Sequence, residues 1–321
     1  KKPGVLTHLW VGIWFALFGV SAFVSTLSLI VVKLGTLVVL GVCGKLLFDV
    51  LGSSAPPRLN GRALGIGAWL PYAAAPTVLF YTMAMYKEAV VHLLMAGAIA
   101  GLLLNVRKPS YFAIAVLAVS LAGLAIERFY LTALCSPFLA YVLFICVQRR
   151  QLIKGALILF ASIFCILLLP LENYSVELGI AYMRDLRAYH AAFPGISFRY
   201  NYEINYGIAV LKALFTPIWA PNKLEMFSGA SALITWGSFV HQAIVITYLL
   251  GVLKAVRSHG MLHVLIQVPF VLFLLFAAYI SPWAGRIRDS FYPMISMYSF
   301  WYIATQLESD WLFIKRRLKL S

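Results

Sequence analysis

"KEAVVHLLMAGAIAGLLLNVRKPSYFAIAVLAVSLAGLAIERFY", residues 87–130, decides the fold. Residues 89–106 and 109–126 form two runs of 18 without Asp, Glu, Lys or Arg. At about 1.5 Å per residue, a helix of that length comes close to the roughly 30 Å of hydrocarbon in a bilayer. The charges collect at the ends of the runs, as Lys87-Glu88, Arg107-Lys108 and Glu127-Arg128. Strands of a membrane barrel would be shorter and would alternate apolar with polar, and these runs are continuous. The segment reads as a hairpin of two membrane-spanning helices.

The same pattern extends in both directions. The 321 residues are 62% hydrophobic and only 12% charged, far above the apolar content of a soluble domain. Apolar windows fall near 5–24, 28–50, 63–84, 89–106, 110–126, 131–147, 153–171, 229–252, 261–280 and 291–307, giving about ten expected spans. The fold class that follows is all-α, a polytopic helical membrane bundle in one domain, 1–321. The opening "KKPGVLTHLWVGIWFALFGV" carries the basic flank of a signal peptide. Its apolar stretch outruns an h-region and offers no small-residue cleavage site, so it is expected to stay as a first helix. Spans one and two then form a tight hairpin around Ser25-Thr26-Leu27-Ser28.

Placing the N-terminus in the cytoplasm makes the loops alternate. Sixteen of the 26 basic residues then share one side with three of the 11 acids, leaving ten basic and eight acidic residues opposite. Basic residues collect in cytoplasmic loops, so this asymmetry orients the bundle with both termini cytoplasmic. Most of the +15 net charge is topology, and no nucleic acid is needed to explain it.

The opposite, outer side carries mixed charge that the same rule does not require. Its turns hold Lys87-Glu88, Glu127-Arg128 and, in "SPWAGRIRDSFYP", Arg286, Arg288 and Asp289. One reading makes these helix caps and ion pairs, with long basic side chains reaching to the interface. The other makes them a pocket for an anionic group, a diphosphate in the first instance, because the guanidinium fork binds phosphate bidentately. The long outer segment 172–228 adds Arg184, Arg187 and Glu177, which share a face if 175–192 is an amphipathic interfacial helix. It also adds Tyr200, Tyr202 and Tyr206, which suit either a sugar platform or an interfacial aromatic belt, and "LFTPIWAPNK", a surface or re-entrant turn.

Other features carry less chemistry. Cys43, Cys135, Cys146 and Cys165 all lie inside apolar runs without metal spacing and read as packing residues. His259 and His263 have helix-face spacing but no nearby acid. Glu88 and His92 lie one turn apart, a spacing that allows a shared proton or simply a satisfied histidine. Gly97 and Gly101 make a small-xxx-small pattern for close helix contact, and Lys33 falls inside span two, facing protein or the outer interface. No metal and no cofactor is expected.

At four places the chain resembles bacterial multispanning glycosyltransferases of the GT-C-like group and Wzy-like O-antigen or exopolysaccharide polymerases. "PTVLFYTMAMYKEAVVHLLM" is similar to their "P…FYS…KE" stretch, and "ERFY" stands where they carry an Arg-aromatic turn one hairpin later. "LKALFTPIWAP" is similar to their "l…PfPW" loop and "WAGRIRDSFYPMI" to their closing R-x-R-x-x-x-x-P turn. The four matches run in order over residues 70–300. The resemblance implies transfer of polyprenyl-diphosphate-linked sugars on the outer face of a bacterial inner membrane, beside other polysaccharide-assembly proteins. It gives Lys87, Arg128, Arg286 and Arg288 the diphosphate or acceptor contacts; the long outer segment adds Arg184, Arg187 and Tyr200 as candidate binding residues. Glu88 becomes the first candidate for the general base or for orienting Lys87, with Asp289 the next catalytic candidate and Glu127, Asp185 and Glu203 further rivals. One departure stands: the first outer turn, Ser25 to Ser28, lacks the acid such enzymes place in their first long outer loop. The acid then lies ahead of Lys1, since the chain does not open on Met, or the site uses another base or mainly electrostatic catalysis. A flippase for lipid-linked glycans, without catalysis, is the alternative.

Overall fold

A computed structural model describes residues 5–51, 67, 69–75, 88–167, 210–211, 214–215, 230–280 and 288–317. Among them there is no strand. The helices are α1 (Val5–Phe18), α2 (Ala22–Leu51), α3 (Trp69–Ala74), α4 (Glu88–Arg107), α5 (Tyr111–Gln148), α6 (Leu152–Leu167), α7 (Ala230–His259), α8 (Met261–Ile280) and α9 (Tyr292–Arg317), with a 3-10 turn at Asp289–Phe291.

Five described stretches are long and apolar enough to cross a membrane: Ala22–Leu47, Glu88–Arg107, Tyr111–Arg128, Tyr130–Gln148 and Phe239–Arg257. They coincide with five of the ten expected spans. Three more expected spans correspond to shorter apolar helices, Val5–Phe18, Leu152–Ile163 and Met261–Leu275. The span expected at 291–307 falls within α9, and the one at 63–84 is described only at 67 and 69–75. The expected outer segment 172–228 lies outside the described residues except at 210–211 and 214–215.

The hairpin expected over 89–126 forms as α4 and the first limb of α5, antiparallel and in close contact. A Cβ on Gly101 would stand 2.7 Å from the backbone nitrogen of Leu117, and one on Gly97 would meet the Ser120 hydroxyl. The glycines therefore let two helix backbones approach where any side chain would hold them apart. Ser110 starts α5 from an extended backbone (φ −140°, ψ 157°), its hydroxyl accepting from the Ala113 N–H at 3.1 Å. That satisfies one of the free donors at a helix start.

Arg128 (φ −151°, ψ 79°) interrupts α5, and the chain folds back so that the Thr132 hydroxyl donates to the Leu121 carbonyl at 3.0 Å. What is continuous by hydrogen bonding is thus two limbs joined by a one-residue break. Next, α2 lies parallel to α4. Leu29 and Val32 cluster with Ala89 and Val90, Gly35 faces Leu93, the Cys43 thiol meets the Ala96 carbonyl, and Asp49 pairs with Arg107 at 3.0 Å. In the other half, α7 runs parallel to α9, with Thr247 against Ser299 and Lys254 against Thr305.

These pairings sort the bundle ends. Asp49, Arg107, Arg149 and Lys154 share one end, where the Arg149 guanidinium reaches the Val106 carbonyl and the Lys154 ammonium the Pro109 carbonyl. Glu88 and Arg128 occupy the other end. The first helix departs from expectation here. The Thr7 backbone N–H donates to Glu127 at 2.8 Å, so α1 begins at the Glu88 end rather than at the Arg107 end. The Trp10 indole donates to the Ser28 carbonyl, so α1 climbs away from that level beside the first turns of α2. The physical reason is the carboxylate of Glu127, which attracts the unsatisfied N–H groups of a helix start. The 14-residue length of α1 is also too short for a full crossing.

Candidate functional site

The site is assembled from helix ends. Glu88 opens α4 and is fully buried, which a carboxylate tolerates only with a partner. The partner is Arg128, at the break in α5, whose Nη2 pairs with Glu88 Oε1 and whose Nη1 donates to the Tyr130 hydroxyl at 2.6 Å. Because Arg128 is non-helical, its side chain leaves the turn towards α4 rather than along α5.

A second pair lies beside the first. Arg288, directly ahead of the 3-10 turn, donates through Nε (3.2 Å) and Nη2 (2.9 Å) to one oxygen of Asp289, and both residues are fully buried. Its Nη1 donates to the Leu214 carbonyl at 3.3 Å, and the same carbonyl accepts from His241 Nε2 at 3.2 Å. A carbonyl only accepts, so His241 carries its hydrogen on Nε2 and takes the Tyr292 hydroxyl on Nδ1. In this way one main-chain oxygen ties α7 to the arginine.

The two pairs belong to one assembly. The 3-10 turn packs on α4, and the His92 ring, one turn below Glu88, lies against the backbone of Asp289. Burial pushes the Asp289 carboxyl up to about 6, with Arg288 pulling it down, Glu88 adding to the rise and Arg128 opposing it. His92 Nδ1 meets the Tyr72 hydroxyl at 2.9 Å, and the Lys33 ammonium stands 5.9 Å from the centre of the Tyr72 ring. Lys33, Tyr72, His92, Glu88, Arg128, Arg288, Asp289, His241 and Tyr292 thus form a connected polar region drawn from seven elements.

Two polar atoms there are buried and have no hydrogen-bond partner among the described residues: Asp289 Oδ2 and Ser290 Oγ. Buried polar groups are normally satisfied, so atoms of this kind mark a place where something polar belongs. When Tyr72 donates to Nδ1, Nε2 of His92 is a donor facing the Asp289 backbone, while Asp289 Oδ2 accepts and Ser290 Oγ does either.

Comparison with protein-family models, curated proteins and solved structures gives no match.

Of the residues proposed from the sequence, Glu88, Arg128, Arg288 and Asp289 come together in this region. Lys87, Arg286, Arg184, Arg187 and Tyr200 lie outside the described residues, as do the rivals Asp185 and Glu203. Glu127 holds the start of α1, accepting from the Thr7 N–H and hydroxyl. Sequence reasoning left out Lys33, Tyr72, His92, His241, Tyr292 and Ser290. Lys33 had a usable signal, since a charge inside an apolar span is by default a functional group. His92 had one too, in its spacing from Glu88. Tyr72 and His241 sit alone in apolar stretches and give none.

Proposed function

We propose that this chain is a membrane glycosyltransferase or polysaccharide polymerase acting on polyprenyl-diphosphate-linked sugars, at the outer face of a bacterial inner membrane. The observation that carries the reading is the meeting of Glu88, Arg128, Arg288 and Asp289 at one end of the bundle. Glycosyl transfer requires two things of a protein. The departing diphosphate takes up negative charge as its bond to the anomeric carbon breaks, and the attacking hydroxyl gives up a proton. Arginines held in place by carboxylates supply fixed positive charge without reorganisation at the moment of reaction. Asp289, with one oxygen on Arg288 and the other unpartnered among the described residues, suits the hydroxyl, and Ser290 Oγ can orient it. Glu88 then serves to position Arg128. Lys87 and Arg286, adjacent in sequence to the two pairs, would add charge on the diphosphate side.

The test is elongation of a lipid-linked oligosaccharide by the purified protein. Wild-type should yield longer products, and Arg288→Gln and Asp289→Asn should yield none while eluting as folded protein. Full-length products from both variants would end the reading.

One observation favours the flippase alternative. The Tyr248 hydroxyl donates to Gln267 at 2.5 Å and His263 meets Tyr298 at 2.7 Å, all buried within the α7–α8–α9 interface. Polar side chains at that depth suit a pathway as well as they suit helix association. Translocation of a labelled lipid-linked sugar in vesicles, unaffected by Asp289→Asn, would separate flipping from transfer.

A further inference from the structure

The charges of the site do not balance once Lys33 is counted. Arg128 is answered by Glu88 and Arg288 by Asp289, so those four groups carry no net charge. Lys33 has no carboxylate partner among the described residues; its ammonium faces the Tyr72 ring instead. The residue is level with Glu88, because Leu29 and Val32 of α2 cluster with Ala89 and Val90 of α4. It is also only partly covered. Its neighbours Ile30, Val31 and Leu34 are 41%, 37% and 55% exposed, the face α2 offers to lipid. Lys33 therefore stands on the seam between the lipid-facing side of α2 and the polar region that contains both arginine pairs.

An ammonium within an apolar span costs more than a single aromatic face returns, so it is ordinarily matched by an anion. Arginines held by carboxylates act on a diphosphate already in place, whereas a lysine without a carboxylate partner can capture an arriving phosphate. Lysine binds phosphate as a point charge with three rotatable donors and needs no fixed geometry.

We propose that Lys33 is the first phosphate contact of this site, receiving the diphosphate of a lipid-borne diphosphate ester that arrives along the flank of α2 formed by Ile30, Val31 and Leu34. The ligand class rests on the functional reading above; the residue and the side of approach rest on the placement of Lys33. The Tyr72 ring beneath the ammonium and the Tyr72–His92 hydrogen bond then connect the bound phosphate to the Asp289 side of the site.

The test is binding, independent of turnover. The full chain in lipid nanodiscs is titrated with polyprenyl diphosphate, inorganic pyrophosphate and phosphatidylglycerol, for wild-type, Lys33→Met and Lys33→Arg. Polyprenyl diphosphate should bind roughly 10- to 100-fold more weakly to Lys33→Met, the worth of one charge-assisted hydrogen bond, and within about threefold of wild-type to Lys33→Arg. Phosphatidylglycerol should not compete. Thermal unfolding of Lys33→Met should match or exceed wild-type, since it removes an uncompensated charge; a large loss of stability would make Lys33 a structural group and overturn the proposal. Undiminished binding to Lys33→Met overturns it and leaves the functional reading standing. No binding of polyprenyl diphosphate to wild-type overturns both. Inorganic pyrophosphate binding as tightly, with the same dependence on Lys33, would support the phosphate contact and overturn the lipid source.

Discussion

The Glu88–Arg128 pair permits a test that separates folding from chemistry. Glu88 is 0% and Arg128 7% exposed, so solvent screening removes little of their interaction. Removing one partner leaves a buried charge alone, which costs about 3–5 kcal/mol, whereas replacing both by apolar groups is often neutral. The expectation for Glu88→Leu and Arg128→Leu is therefore a loss of that order for each single variant. The double variant should recover most of it, with a coupling energy of about 3 kcal/mol or more. The assay is reversible unfolding in mixed micelles, with the four proteins of the cycle compared under one condition. An exposed ion pair would give a coupling of about 0.2–1 kcal/mol, and a value in that range would refute the buried geometry. The same four proteins then go to the oligosaccharide assay. On the functional reading the double variant is folded yet inactive, a combination that a merely structural pair would not give.

Other outcomes follow from single contacts. Gly101→Val would drive a branched side chain into the Leu117 backbone, a loss of about 1–3 kcal/mol in the same unfolding assay, while Gly12→Val, which meets nothing within 4 Å, should be near neutral. Glu127→Ala should remove the cap on α1 and speed amide hydrogen exchange at residues 5–18 by roughly tenfold, equivalent to a charged hydrogen bond of about 1.5 kcal/mol. Asp289 has a folded pKa near 6 against 3.8 for the free group, so its proton is held more tightly in the folded state. Its stabilising contribution is full below about pH 3.8 and is lost as pH rises through about 6, and Asp289→Asn should flatten that part of the stability–pH curve relative to wild-type.

The residues that announced themselves in the sequence did so by contrast. Charges are few, so Lys87-Glu88, Glu127-Arg128 and the Arg288-Asp289 turn stand out at the ends of apolar runs. Run length picked out α2, α4, both limbs of α5 and α7 as helices long and apolar enough to cross, because a bilayer fixes how long such a helix must be. The direction of α1 was not legible. Loop alternation assumes that every apolar run crosses, and α1 is instead held by a carboxylate 120 residues away. Tyr72 and His241 were hidden for a related reason. Inside an apolar run a lone aromatic or histidine has the same appearance whether it fills space or joins a hydrogen-bonded chain, and only the neighbouring helices decide. Glu127 illustrates the converse, since its charge marked it as a site candidate while its position made it a cap.

The break at Arg128 sets a rule for how this chain can change in length. Both limbs of α5 are registered against neighbours, the first through Gly97 and Gly101 of α4, the second through the Thr132–Leu121 contact. One residue added or removed in either limb would turn everything beyond it by about 100° and shift it by about 1.5 Å. In the first limb this would swing Arg128 off Glu88, and in the second it would turn the rest of that limb out of its packing. Insertions and deletions should therefore be tolerated at the exposed turn around Arg149 and Arg150, and be excluded from residues 111 to 148.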